Sequence, residues 1–176
     1  MTNIRIDIVT AADQEALHLE NEAFDVFGCL IVSRINEKWE YDKELFSETT
    51  TMTFPDEAYA YEQVSQNGFA VAAYVDEECV GLAVIQKDWF QYMYLMDLKV
   101  KQKYRKSGIA KLLIARAKEE AVQLGKRGIY TIGQDNNLAA CLFYLHSGFR
   151  IGGLNTDVYK HTRQEGKADI YFYLED

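Results

Sequence analysis

Proline is almost missing from this chain: Pro55 is the only one in 176 residues. There is also no internal repeat, low-complexity tract or stretch of linker composition. The sequence therefore reads as one domain, 1–176, long enough to bury a full core. Cysteine is scarce. Cys29, Cys79 and Cys141 lack metal-ligand spacing, and an odd count with no export signal points to a reducing compartment. No apolar run approaches the ~18 residues of a membrane span, and the N-terminus lacks the basic-then-apolar pattern of a signal peptide. These absences lead to the expectation of a cytoplasmic protein with no membrane attachment and no bound metal. Histidine is limited to His18, His146 and His161, none at a spacing that suggests a catalytic partner. Positive charge is in deficit as well. With 19 basic against 27 acidic residues the net charge is −8, which argues against nucleic acid and suits a small cationic partner.

What is present is globular in composition, 48% hydrophobic and 26% charged. Ile4, Ile6 and Ile8 alternate with Arg5 and Asp7, predicting a half-buried strand over 3–9. Thr10 with Asp13 predicts a capped helix start, the helix running to about Ala23. Phe24 to Ile35 is apolar and reads as extended, with Gly28 as a break. Beyond it the pattern dissolves up to residue 67. Trp39, Tyr41, Phe46, Phe54, Tyr59 and Tyr61 are interleaved there with Glu37, Glu40, Asp42, Glu44, Glu48, Asp56, Glu57 and Glu62. Such a mixture can cage a cation; it can equally be packing aromatics among solubilising acids.

From Gly68 the periodicity is clear. Strands are predicted over 69–75, 79–86 and 92–100, the first two joined by a turn at Asp76-Glu77-Glu78. A helix over 108–124 follows, with Ile109, Leu112, Leu113, Ala117 and Leu124 as its apolar face and Gly125 as its stop. A short β-branched strand covers 128–133. A helix over 137–146 ends at Ser147-Gly148, and the last strands begin at Phe149 and cover 168–174. The order is strand, helix, antiparallel meander, helix, strand, helix and two strands, an α/β (α+β) arrangement.

Between the third meander strand and the long helix lies Val100-Lys-Gln-Lys-Tyr-Arg105-Lys-Ser-Gly108-Ile-Ala110. Small residues at 108 and 110 let an oxyanion approach the backbone. The unpaired N–H groups and the positive dipole end of the helix would bind that oxyanion, and Arg105 and Lys106 add charge. This is a phosphate or pyrophosphate site. It is neither a P-loop, for want of Gly-Lys-Ser/Thr, nor the Gly-x-Gly-x-x-Gly dinucleotide fingerprint. A strand ending in Val followed by Arg-x-x-Gly-x-Ala resembles the acetyl-CoA loop of the GNAT superfamily of N-acetyltransferases. A second motif follows in the right order, Asn137-x-x-Ala140-x-x-x-Tyr144-x-x-x-Gly148-Phe149. Its spacing sets an amide, a small residue and a phenol on one helix face, and it too matches the GNAT pattern. The likeness covers roughly residues 69–150.

The resemblance implies a mixed central sheet of about seven strands flanked by about four helices, splayed between the fourth and fifth strands, and direct acetyl transfer from acetyl-CoA to an amine. The backbone at Leu98, Lys99 and Val100 would pair with the cofactor arm, and the Leu98 N–H would polarise the thioester carbonyl. One donor of that kind is worth about 10²–10³ in rate. N–H groups of Lys106, Ser107, Gly108, Ile109, Ala110 and Lys111 would hold the pyrophosphate. Asn137, beside Ala140, would fix the arm, and Tyr144 would protonate the departing thiolate. A lysine-like acceptor is neutral in only about one molecule per thousand near pH 7.4, a cost of about 4 kcal/mol. Asp97 lies beside the reacting centre and could bind that amine or take its proton through water; it could also simply anchor the strand.

A narrower likeness extends outside the cofactor core. Phe24-Asp-Val-Phe-Gly28 with Trp39, Trp89-Phe-Gln-Tyr92, Gln134-Asp-Asn-Asn137 and Asn155-Thr-Asp157-x-Tyr159 are similar to streptothricin acetyltransferases, which acetylate the β-lysine amine of that antibiotic and so confer resistance. By that likeness residues 24–67 form the variable acceptor side, with Trp39, Tyr41 and Asp97 as substrate contacts. Two alternatives stay open: transfer to another polyamine, aminoglycoside or protein amine, and a non-catalytic CoA-binding sensor. A homodimer is also left open.

Overall fold

The structure is a computed structural model and describes residues 3–176. Its contacts divide the chain into two compact units, each assembled from separated segments. The first holds residues up to Glu22, Phe54–Ile129 and Glu175–Asp176; the second holds Ala23–Thr53 and Tyr130–Leu174.

In the first unit β1 (Ile4–Ile8), β4 (Gly68–Val75), β5 (Glu78–Gln86) and β6 (Tyr92–Val100) lie in that order, every neighbouring pair antiparallel. The two central strands are apolar along nearly their whole length, and Val71, Ala72, Ala73, Val80, Leu82 and Ala83 are fully buried. The β4–β5 turn places Asp76 and Glu77 at φ +48° and +68°. Thr10 and Asp13 form the expected capping box, but the segment it starts, Ala11–His18, is a kinked 3₁₀ helix that stops five residues short of Ala23. α1 (Tyr61–Asn67) was not legible in the sequence and leads directly into β4.

α2 (Ile109–Gln123) buries Ile109, Leu113, Ile114, Ala117 and Ala121. Two residues expected on that face, Leu112 and Leu124, are 44% and 52% exposed. The face is fixed by what β5 offers: Gly81 gives room beneath Leu113 and Ile109, whose side chains would stand 3.0 and 3.2 Å from a Cβ placed there. β6 carries a bulge. Val84 pairs with Asp97 but Ile85 pairs with Leu95, so Met96 is the extra residue and its side chain turns to solvent.

In the second unit β7 (Gly128–Gln134), β9 (Asp169–Glu175) and β8 (Arg150–Asn155) are ordered β7-β9-β8. Counting both units, these seven strands meet the expected number. α3 (Leu138–His146) buries Leu138, Cys141 and Tyr144, the last against Phe172.

The stretch the sequence left unresolved contains a long hairpin of β2 (Phe24–Ile35) and β3 (Lys38–Met52). Gly28 does not break it. It lies inside β2 beside a bulge, where a Cβ would fall 2.5 Å from the Glu44 carbonyl oxygen and 2.8 Å from Leu138 Cδ2. Glycine is there so that the ribbon can press on α3. Asn36 and Glu37 form the tip at φ +50° and +65°, the geometry of a two-residue hairpin turn. Glutamate is strained in that conformation. Glu37→Gly is therefore expected to raise stability by about 0.5–1 kcal/mol, the left-handed penalty less the added freedom of the unfolded chain. Denaturant midpoints at unchanged slope would check it.

Among the described residues no helix is long and apolar enough to cross a membrane, no group of three His, Cys, Asp or Glu side chains could hold a metal, and the three cysteines are free thiols.

Candidate active site

The predicted anion loop joins β6 to α2 in the first unit. It is held open by its own side chains and by two acids from elsewhere in the unit. Arg105 Nε donates to the Val100 carbonyl at 3.1 Å, and the Ser107 hydroxyl donates to the Tyr104 carbonyl. Gln102 N–H is taken by the Glu22 carboxylate, and Lys101 pairs with Glu78. Arg105 thus shapes the loop as well as charging it. Lys106 at φ +62° and Gly108 at φ +89° then turn the chain into α2. Gly108 is the N-cap, no side chain caps the helix, and no acidic residue sits in its first turn. The amides at the start of α2 therefore face outward with nothing negative among them, and Arg105, Lys106, Ser107 and Lys111 surround them as exposed residues. A Cβ at Gly108 would meet nothing within 4 Å, so this position uses glycine for its backbone angle. The donor set suits a pyrophosphate such as that of acetyl-CoA.

The preceding strand presents its backbone in a definite phase. Val100 stands opposite Gly81, and Lys101 N–H donates to the Val80 carbonyl at 2.8 Å. Lys99 and Leu82 then form a hydrogen-bonded pair, and the backbone groups of Leu98 and Val100 turn to the edge away from β5. These are two of the residues expected to meet the cofactor arm. The Val100 carbonyl already accepts from Arg105, and Lys99 has its backbone committed to β5.

Asp97 and Lys99, two apart on β6, share a face. Lys99 Nζ lies 3.3 Å from Asp97 Oδ2 and 2.8 Å from Glu57 Oε2. The Tyr59 hydroxyl donates to Asp97 Oδ2 at 3.0 Å, and Lys99 Nζ is 5.8 Å from the Tyr59 ring centroid. Glu57 is held in turn by Asn21 Nδ2, 3.1 Å from both carboxylate oxygens. The interleaved aromatics and acids do cage a cation here, and the cation is the chain's own Lys99. Burial drives the Asp97 carboxyl above its usual range, with Lys99 and Tyr59 pulling back and Glu57 pushing the same way as burial. Burial and the adjacent Asp97 raise the Tyr59 phenol strongly, so it stays a proton donor in this bond. Sequence reading placed Tyr59 and Glu57 among residues able to cage a cation but did not join them to Asp97, and it missed the Lys99 side chain. The alternation of Asp97 and Lys99 along one strand was the available signal.

In the second unit Asn137 caps α3, its side chain accepting from Ala140 N–H at 3.3 Å. Its oxygen is thereby used on the helix, and its NH₂ is the part left to donate. Ala140 is half-buried on the same face as Tyr144. The Tyr144 ring is fixed by Phe143, Phe149 and Phe172, with centroids 5.7, 5.3 and 5.4 Å away. Trp39 and Tyr41 belong to the outer half of the hairpin. The Arg34 guanidinium covers the Trp39 ring at 5.5 Å, and Tyr41 is 51% exposed. Asp97, the third expected substrate contact, belongs to the first unit.

Comparison with known proteins gives a consistent picture. Residues 39–149 match the acetyltransferase (GNAT) family. Streptothricin acetyltransferase A of Bacillus subtilis (strain 168) is 30% identical over 166 residues, 94% of this chain and 96% of that protein. A streptothricin acetyltransferase of Escherichia coli is 31% identical over 102 residues, 57% of this chain and 59% of that one. Among solved structures, a candidate streptothricin acetyltransferase from Bacillus anthracis str. Ames, in complex with acetyl coenzyme A, superposes with a TM-score of 0.88 at 31% identity over 99% of both chains. A nourseothricin acetyltransferase, at 21% identity over 98% of both chains and a TM-score of 0.79, shares the fold.

Proposed function

The chain belongs to the acetyltransferase (GNAT) family and is an N-acetyltransferase using acetyl-CoA, and from that premise we propose that its acceptor is the β-lysine amine of streptothricin. One observation carries this reading. The likeness to streptothricin acetyltransferase A runs over 94% of the chain, so it takes in the acceptor-side residues 24–67 and not the cofactor core alone. The acid excess, net −8, agrees with a cationic acceptor.

Acetyl-CoA supplies the acetyl group as an activated thioester. The backbone amides from Lys106 to Lys111, which run from the loop into the first turn of α2, hold its pyrophosphate with Arg105. The outward backbone of Leu98 and Val100 aligns its arm, and Leu98 N–H polarises the carbonyl that the amine attacks. The Asn137 NH₂ adds a contact to the arm beside Ala140, and Tyr144 gives its phenolic proton to the leaving sulfur. Trp39 and Tyr41 offer ring faces to the acceptor's cationic groups.

Mass spectrometry of streptothricin incubated with enzyme and acetyl-CoA tests the reading. A gain of one acetyl group, localised to the β-lysine by fragmentation, is the expected result. Unmodified streptothricin alongside efficient acetylation of an aminoglycoside, a polyamine or a protein amine would overturn the acceptor and leave the enzyme class standing.

A further inference from the structure

The ion-pair network on β6 has a direction. Tyr59 and Lys99 both contact Oδ2 of Asp97, at 3.0 and 3.3 Å, and neither contact falls on Oδ1. The side chains of Lys99 and Asp97 are 11% and 14% exposed, whereas Glu57 is 32% exposed. The network therefore runs from a nearly dry carboxylate, through one ammonium shared between two acids, to a wetter carboxylate that Asn21 holds in place. A contact serving only to tie residues 53–60 to the strand gains little from charge, because burying ions costs about as much as their pairing returns. What such pairing does achieve is to keep a carboxylate ionised where water is scarce. Asp97 directly precedes Leu98, whose backbone N–H turns to the edge of the strand away from β5.

We propose that Lys99, Glu57 and Tyr59 are positioning residues that hold Asp97 ionised with Oδ1 open, so that Asp97 takes the proton the acceptor ammonium must lose. This inference rests on the acetyl-transfer reading above and adds to it the device that makes the amine reactive. The acceptor's ammonium passes one proton to Oδ1, directly or through a water. The freed nitrogen lone pair forms the amide bond while the carbonyl–sulfur bond breaks, and that bond's electron pair goes to sulfur. Sulfur is protonated by Tyr144, and the second proton of the attacking nitrogen restores the phenol. One proton per turnover leaves through Asp97.

The groups facing Asp97 are Lys99 from its own strand and Glu57 and Tyr59 from the 53–60 segment, with Tyr94 of β6 acting on Tyr59 in turn. Their signs differ, and this makes the proposal testable. Lys99→Met removes the charge that favours ionised Asp97, so the acid limb of kcat/KM should move to higher pH, by about 1–3 units for a lost charge at this distance. Tyr59→Phe should move it the same way by less. Glu57→Gln removes a repelling charge and should move it to lower pH. Lys99→Arg should return it toward the wild-type position. Opposite displacements for Lys99→Met and Glu57→Gln are the expected result, measured by thiol release with saturating acetyl-CoA and an amine that the wild-type enzyme acetylates. If Lys99→Met does not fold, the downward shift in Glu57→Gln and the upward shift in Tyr59→Phe carry the test. Limbs that coincide with wild type in the folded variants would overturn the proposal while leaving acetyl transfer intact. Failure of the wild-type enzyme to acetylate any amine would instead overturn the reading beneath it.

Discussion

Tyr144→Phe is expected to lower kcat by about 10²–10⁴-fold while leaving the KM for acetyl-CoA nearly unchanged, because a proton delivered to the leaving group acts only in the transition state. The substitution is well suited to the test. The Tyr144 ring is fixed by three aromatic neighbours, Phe143, Phe149 and Phe172, and phenylalanine keeps all three contacts. Packing is preserved and the hydroxyl alone is lost. Steady-state thiol release at saturating substrates, with melting curves matched to wild type, would measure the effect. Wild-type turnover in the variant would assign thiolate protonation to water.

Gly108→Val should weaken acetyl-CoA binding by roughly 10–100-fold. The cause is conformational. Open space surrounds a Cβ at this position, but φ is +89°, a region that a β-branched residue reaches only at a cost of about 1–3 kcal/mol. The chain escapes that cost by rotating the first turn of α2, and its amides then no longer converge on one anion. Gly108→Ala, less constrained at Cβ, should lose less. Titration calorimetry with acetyl-CoA separates the cases, and an unchanged Kd in folded Gly108→Val would remove the pyrophosphate from this loop. Arg105→Ala should add to the loss by freeing the Val100 carbonyl from its 3.1 Å bond to Nε.

How much of this could be read from the sequence depended on whether a residue's neighbours lay close in the chain. The meander β4–β5–β6, α2 with Gly125 behind it, and α3 with its Asn137-to-Tyr144 spacing all follow from short-range periodicity, and each falls within a few residues of its predicted bounds. The hairpin did not. Most of the residues of β3 are exposed on both sides, so no alternation of apolar and polar residues marks them. Their strand state comes from pairing with β2, which no local pattern reports. The same holds for the site. The loop and the tyrosine are carried by motifs, whereas the Asp97 network joins residues 38 and 42 positions apart, Tyr59 with Asp97 and Glu57 with Lys99. The bulge at Met96 also escaped notice, because one inserted residue leaves the apolar run of β6 looking continuous. Helical spacing alone puts Leu112 and Leu124 on the apolar face of α2, and only the β5 surface under the helix decides which leucines fit.

The way the two units share the chain also bears on how the protein is made. The first unit takes residues up to Glu22, is interrupted by Ala23–Thr53, and resumes over Phe54–Ile129. A nascent chain that has left the ribosome as far as Met52 therefore holds one strand of the first sheet and the hairpin of β2 and β3, whose partner α3 is still to be synthesised. At about 5–20 residues per second the hairpin would wait several seconds for residues 138–146. Throughout that interval it exposes Ile31, Ile35 and Leu45, which remain about half or more exposed in the finished fold. The acids along β3, Glu40, Asp42, Glu44 and Glu48, put like charges on that ribbon, so two nascent hairpins meeting strand to strand repel each other. The acidic interleaving of this segment thus has a use in biosynthesis separate from any ligand, as protection against aggregation until α3 arrives.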